Sequence, residues 1–237
     1  MKHLFRSLIA LAYLASAATA QAGFVINSFW GAAATISFVG CTSSSSDLTT
    51  YTFTDHATGT AGARKTIVGV SGGDGATNFS VSSMTVGGAA ATEVADNSAS
   101  TGSLAQSAIY IKDNPSGTTA TIVVTFSEAI EDAAVCVWAA YDVSSETATD
   151  TASGFDTSGG AITLDLDVAT NGVAVGMSSS DSADSHTWTG MTERSDANQS
   201  PTHRYSGADT STAGTPFATT VDETDTGDLV GTTASFR

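Results

Sequence analysis

From Thr119 to Val143 the chain reads TATIVVTFSEAIEDAAVCVWAAYDV, the most apolar stretch beyond its N-terminal region. In TATIVVTF, Ile122, Val124 and Phe126 share one parity, and Thr121, Val123 and Thr125 share the other. A strand sends alternate side chains to opposite faces, so this pattern predicts a half-buried strand. Its β-branched residues suit a pleated surface better than a helix. AAVCVWAAY is apolar on both parities, with Val135, Val137 and Tyr141 on one and Cys136 and Trp138 on the other. That predicts a central strand covered on both faces, with a buried helix as the competing reading of so short a run. The polar turn Ser127–Asp132 joins the two strands.

Similar short runs continue along the chain. They predict strands near 24–28, 33–39, 48–54, 65–70, 82–86, 90–95, 105–111, 161–168, 172–178, 186–193, 202–206, 216–221 and 232–236. The cleanest is AITLDLDV, which points Ile162, Leu164, Leu166 and Val168 inward and Thr163, Asp165 and Asp167 outward. Ser71-Gly72-Gly73-Asp74-Gly75 and Ser158-Gly159-Gly160 supply turn residues between runs. Segments 143–160 and 207–230 read as long loops, and no mature segment holds a capped 3.6-residue apolar period. The expected fold is all-β: a β-sandwich, jelly-roll-like, forming one domain over 23–237 after an N-terminal signal-type helix. One internal echo stands out, Thr92-Glu93-x-x-Asp96 against Thr192-Glu193-x-x-Asp196. Two hairpins with similar turn chemistry, or chance, would account for it.

Residues 1–22, MKHLFRSLIALAYLASAATAQA, have the layout of a signal peptide. Lys2 and Arg6 precede the uncharged run Ser7–Ala20, and Ala18-Thr19-Ala20 and Ala20-Gln21-Ala22 offer cleavage sites. The run is shorter than the ~20 apolar residues of a membrane-spanning helix. A secreted, extracellular or cell-surface location follows as the expectation, with the virion surface as the alternative.

Charge narrows the partners. Of 237 residues, 24 are acidic and 8 basic, for a net charge of −16, and charged residues make up only 14%. Such a surface repels nucleic acid and anionic membranes. Neighbouring structural subunits, further copies of the chain, or cell-surface glycans fit it better.

Candidate chemistry is sparse. Gly69-Val70-Ser71-Gly72-Gly73 matches G-x-S-x-G, with Asp165 and His186 or His203 following in hydrolase order. That motif needs a helix after the serine, and the chain continues as turn and strand, so a glycine-rich loop is expected instead. Asp165 and Asp167 share a strand face and are weak Ca²⁺ candidates, without the six to eight oxygens the ion prefers. Asp181 with Asp184, and Asp222, Glu223 and Asp225, form looser acidic clusters, and His56, His186 and His203 lack zinc-type spacing. No catalytic residue or cofactor is assigned. Cys41 and Cys136 are the only cysteines. They form either a disulfide, as an exported chain favours, or two buried thiols. Trp188 and Trp30 could stack on a sugar or pack in a core.

DLTTYTF (47–53), RKTIVGV (64–70), MTVGGAAATEV (84–94), GTTATIVVTFS (117–127), VCVWAAYDV (135–143) and TWTGMTE (187–193) occur in that order. Together they resemble a poorly characterised group of small β-sandwich surface proteins encoded by tailed phages, prophages and marine or soil bacteria. The resemblance implies a non-enzymatic structural protein of a virion or extracellular assembly, as subunit, decoration or appendage component. The alternative is a secreted carbohydrate-binding or adhesive module using Trp188 or Trp30 with loop acids, and Ca²⁺ as a candidate cofactor.

Overall fold

The computed structural model describes residues 32–75, 78–98, 105–114, 116–224 and 227–237. The signal-type segment 1–22, the expected strand 24–28, Trp30 and Asp225 lie outside them. Strands in the first part of the chain are β1 (Thr35–Ser44), β2 (Leu48–Ala57), β3 (Arg64–Gly73), β4 (Val81–Val86), β5 (Ala89–Ala90), β6 (Thr92–Ser98), β7 (Ala105–Asp113), β8 (Thr119–Ile130) and β9 (Asp132–Tyr141). Then follow β10 (Asp150–Asp156), β11 (Ile162–Thr163), β12 (Leu166–Val168), β13 (Val173–Ser180), β14 (His186–Thr189), β15 (Thr192–Asn198), β16 (Arg204–Thr210), β17 (Gly214–Phe217), β18 (Thr220–Glu223) and β19 (Leu229–Phe236). No helix occurs among the described residues.

The sandwich expected from the sequence is present twice. In the first half, a sheet ordered β1-β9-β3-β7-β6 faces one ordered β2-β8-β4-β5. This interleaving of strands between two antiparallel sheets is a jelly roll. In the second half, β10-β19-β13-β16-β15 faces β11-β18-β14, extended by the pair β12-β17. The five-stranded orders correspond strand for strand, with β1, β9, β3, β7 and β6 matching β10, β19, β13, β16 and β15. The Thr-Glu-x-x-Asp echo is therefore structural. It falls on β6 and β15, and both carry a bulge at the same place, between Glu93 and Ala95 and between Glu193 and Ser195.

The two five-stranded sheets pack face to face, so each is covered on both sides. Parity decides where each side chain of β9 goes. Val135 and Val137 join the core between the first half's two sheets, with Tyr51, Val124 and Phe126. Cys136 and Trp138 join the core between the halves, with Val175, Met177 and Phe236. A third core, holding Leu164, Leu166, Trp188 and Val221, fills the second sandwich. Each Val, Ile or Leu fully buried this way stabilises by roughly 1.5–3 kcal/mol relative to exposure. AITLDLDV buries Ile162, Leu164, Leu166 and Val168 and exposes Thr163, Asp165 and Asp167, as its alternation predicts.

Several expectations need correction. Ser71, Gly72 and Gly73, expected in a glycine-rich turn, continue strand β3. The segment 207–230, read as a long loop, holds the end of β16, β17, β18 and the start of β19. The run 161–168 is two short strands, β11 and β12, in different sheets. The segment 143–160, read as a loop, contains β10, an edge strand of small and polar residues with only every second position partly covered. The run 186–193 is two strands, because Gly190 takes a positive φ of 91° and turns the chain from β14 into β15. The turn at Ser127–Asp132 shrinks to Glu131: β8 and β9 do not pair but lie in different sheets, and the chain crosses between layers there.

Candidate interaction surface

Of the residues that looked reactive in the sequence, Ser71, His186 and His203 are buried and Asp165 is exposed, and each is engaged with different partners within the chain. Ser71 is fully buried, its Oγ 2.7 Å from Ser179 Oγ and 2.8 Å from Gln199 Oε1. The serine of G-x-S-x-G thus lies in the seam between the two halves. Asp165 accepts a hydrogen bond from the Thr219 amide at 2.9 Å. His186 is held between Ser178 and Ser180, each 2.8 Å from a ring nitrogen. Ser71, Asp165 and the histidines therefore do not converge as a triad.

His203 instead meets Asp132, Nδ1 to Oδ2 at 2.8 Å, with both side chains buried. The pair ties the first residue of β9 in the first half to the residue just before β16 in the second. The sequence placed His203 only in a hydrolase order and Asp132 only in a turn, and the two are 71 residues apart, so the pair was missed. Burial alone would lower the His203 pKa, but the Asp132 carboxylate, with Glu131 and Asp181 behind it, holds it above its ordinary value. Burial pushes His186 down to about 4, so its ring is neutral at pH 7.

Trp188 is buried, the six-membered end of its ring against Gly176 and its Nε1 donating to Ser206 Oγ at 3.0 Å. It packs in the core and has no free face to stack on a ligand. Cys41 and Cys136 stand directly opposite each other on β1 and β9 and form a disulfide. Among the described residues, no group of three or more His, Cys, Asp or Glu side chains is arranged to hold a metal ion.

Two corresponding clefts flank the junction of the halves. One, of 390 Å³, lies between β6 and residues 146–151. The other, of 360 Å³, lies between residues 34–36 and β15 with residues 209–212. In the first, Glu146 accepts from Thr92 Oγ1 at 3.1 Å and pairs with Lys112 at 3.5 Å. In the second, Arg194 grips Asp209 through two hydrogen bonds of 2.8 and 2.9 Å, and Asp209 also accepts from Trp138 Nε1 at 3.0 Å. The charges in both clefts are spent on partners within the chain.

What remains is the outside. The outer face of the first sandwich presents Thr50 and Thr52 of β2 with Thr125 of β8, and Thr50 Oγ1 lies 3.3 Å from Thr125 Oγ1. On the second sandwich, Thr163, Thr220 and Thr189 stand in register across β11, β18 and β14. Acids gather on sheet edges instead: Glu93 and Asp96 on β6, Asp150 and Asp156 on β10, Glu193 and Asp196 on β15. Beside β1 runs an open groove of 540 Å³, lined by residues 39–44 and 52–57.

No family model matches the chain, and no curated protein matches it in sequence. Among solved structures it is similar to a chain of the cyanophage Pam1 capsid asymmetric unit, at 19% identity and a TM-score of 0.31, over 47% of this chain and 86% of that one. It is similar to a chain of Sulfolobus turreted icosahedral virus at 7% identity and a TM-score of 0.30, covering 86% and 90%. The PBSX exported protein XepA follows at 10% identity and a TM-score of 0.22, covering 85% and 86%. Scores this low transfer no role.

Proposed function

We propose that the chain is a non-enzymatic structural subunit, displayed on a virion or another extracellular assembly, which works through its outer faces and sheet edges. One observation carries the reading. In a body of two stacked jelly rolls, the candidate reactive groups Ser71, His186 and His203, the last paired with Asp132, are internal ties between strands and halves. Jelly rolls serve viral capsids and lectins alike, so the fold is compatible with the reading without assigning it. A disulfide joining β1 to β9 suits an oxidising location outside the cytoplasm. Burial of Trp188 counts against that residue as the stacking surface of a carbohydrate-binding alternative.

Negative-stain microscopy of purified protein over a range of concentrations tests the proposal. Ordered oligomers, or decoration of particles, are the expected result. Single particles of monomer size at every concentration, with no binding to virions or cell surfaces, would refute it.

A further inference from the structure

We infer that the free edge of β1 over Gly40–Ser44 is a self-association surface. It pairs antiparallel with the same segment of a second copy of the chain, across a two-fold axis. The inference rests on the structural-subunit reading and names the contact through which that subunit joins its neighbour.

Among the described residues β1 ends its sheet and pairs only with β9, so on its other side alternate backbone N–H and C=O groups point away from the sheet. Such an edge is a template for another strand, and proteins blunt it with charge, proline, bulges or cover. The other long edges of the inner sheets are blunted by acids: β6, β10 and β15 each carry two. The sequence of β1, TISFVGCTSS, holds neither a charge nor a proline. Its one device is the bulge between Phe38 and Gly40, which separates the strand into two stretches. Before the bulge, residues 34–36 flank β15 in the 360 Å³ cleft. After it, Gly40–Ser44 opens onto the 540 Å³ groove whose far wall is Thr52–Ala57 of β2.

The duplicated fold supplies its own control. Register matches Thr42, opposite Val135, to Gly154, opposite Gly231. In the second half the equivalent seam is closed from within. A Cβ on Gly154 would sit 2.4 Å from Ile162, and the Asp167 amide donates to Asp150 Oδ2 at 2.7 Å, which fastens β12 to β10. The first half keeps this seam open, with Thr42 exposed where the second half has a glycine packed shut.

Charge selects the occupant. Two bodies of net charge −16 repel, and they can approach most readily where acids are absent. Along Gly40–Ser44 they are absent, and the groove's far wall carries one acid, Asp55, with His56 beside it. Leu48, one of two exposed large hydrophobic side chains among the described residues, stands just past the turn that leaves β1. A two-fold axis at Thr42 brings each copy's Gly40–Ser44 against the other's, the self-complementary arrangement of an isologous dimer.

The test is light scattering and sedimentation of the wild-type protein, of Thr42→Glu, and of Thr187→Glu on the outer face of β14 as control. Wild type and control are expected to dimerise alike. Thr42→Glu sets two carboxylates against each other at the axis and should weaken dimerisation at least tenfold. Amide hydrogen exchange of the wild type supplies a second reading that needs no variant: Gly40–Ser44 should gain protection as concentration rises. If Thr42→Glu associates like wild type, or those amides exchange independently of concentration, the edge assignment falls and the subunit reading survives. Dimers that never grow or attach to particles would keep the edge and remove the subunit reading. A wild type that stays monomeric removes both.

Discussion

Ser71 and Ser179 occupy corresponding positions in the two halves of the chain, and their hydroxyl oxygens lie 2.7 Å apart. The correspondence follows from register. Past the matching bulges, Ala95 faces Ile109 as Ser195 faces Gly207, and these pair with Gly69 and Met177. Two residues further along β3 and β13 stand Ser71 and Ser179. Equivalent residues touching each other mark a local two-fold relation between the halves, and the glycine-flanked serine is one of its ties. Gln199 completes the group, 2.8 Å from Ser71.

Removing the Ser71 hydroxyl leaves Ser179 and Gln199 short of a buried partner. Ser71→Ala should therefore destabilise by about 1–3 kcal/mol. Ser71→Ala with Ser179→Ala should cost less than the two single changes together, since they share one interaction. Urea unfolding of the three variants checks this. Loss of an enzymatic activity with unchanged stability would contradict the assignment.

Gly69 and Met177 form the neighbouring pair on the same relation, one empty and one full. A Cβ at Gly69 would lie 2.9 Å from Met177 Sδ and 3.1 Å from its Cβ. Gly69→Ala should overpack this seam at a cost of about 1–3 kcal/mol, and Met177→Ala in the same chain should recover part of it. Denaturant midpoints of the single and double variants give the comparison.

Stability should fall on both sides of neutrality, through different histidines. His203 titrates above its ordinary 6.5 in the folded protein, so its contribution is complete below pH 6.5 and is lost as pH rises through the folded value. His186, lowered from 6.5 to about 4, resists protonation when folded. Its contribution is present above pH 6.5 and drains away between 6.5 and 4, by about 3 kcal/mol. His203→Gln should flatten the alkaline limb of a stability–pH curve and His186→Gln part of the acid limb. The reverse assignment of limbs would refute the two environments.

The disulfide closes a separation of 95 residues. In the chain-entropy picture it contributes roughly 4–5 kcal/mol. Reduction with dithiothreitol should lower the unfolding free energy by about that amount, read from urea curves with and without reductant.

Much of this fold was legible because parity survives in the sequence. Val135 and Val137 against Cys136 and Trp138 already announced a strand with two covered faces, and the structure gives each pair its own core. β10 was not legible. DTASGFD sits at a sheet edge, where half-covered small residues carry little periodic signal. The duplication left one trace, the Thr-Glu-x-x-Asp bulge, because the halves share geometry far more than residues: Met177 stands where the first half has Gly69. Asp132 and His203 were invisible as a pair, since only the stacking of the halves brings them together.

Sedimentation velocity across protein and salt concentration tests most directly the claim that the outside of this body is its working part. With a net charge of −16, association should strengthen as salt screens repulsion, and the average mass should climb above that of one chain. A single species of monomer mass at high protein and high salt would contradict the account.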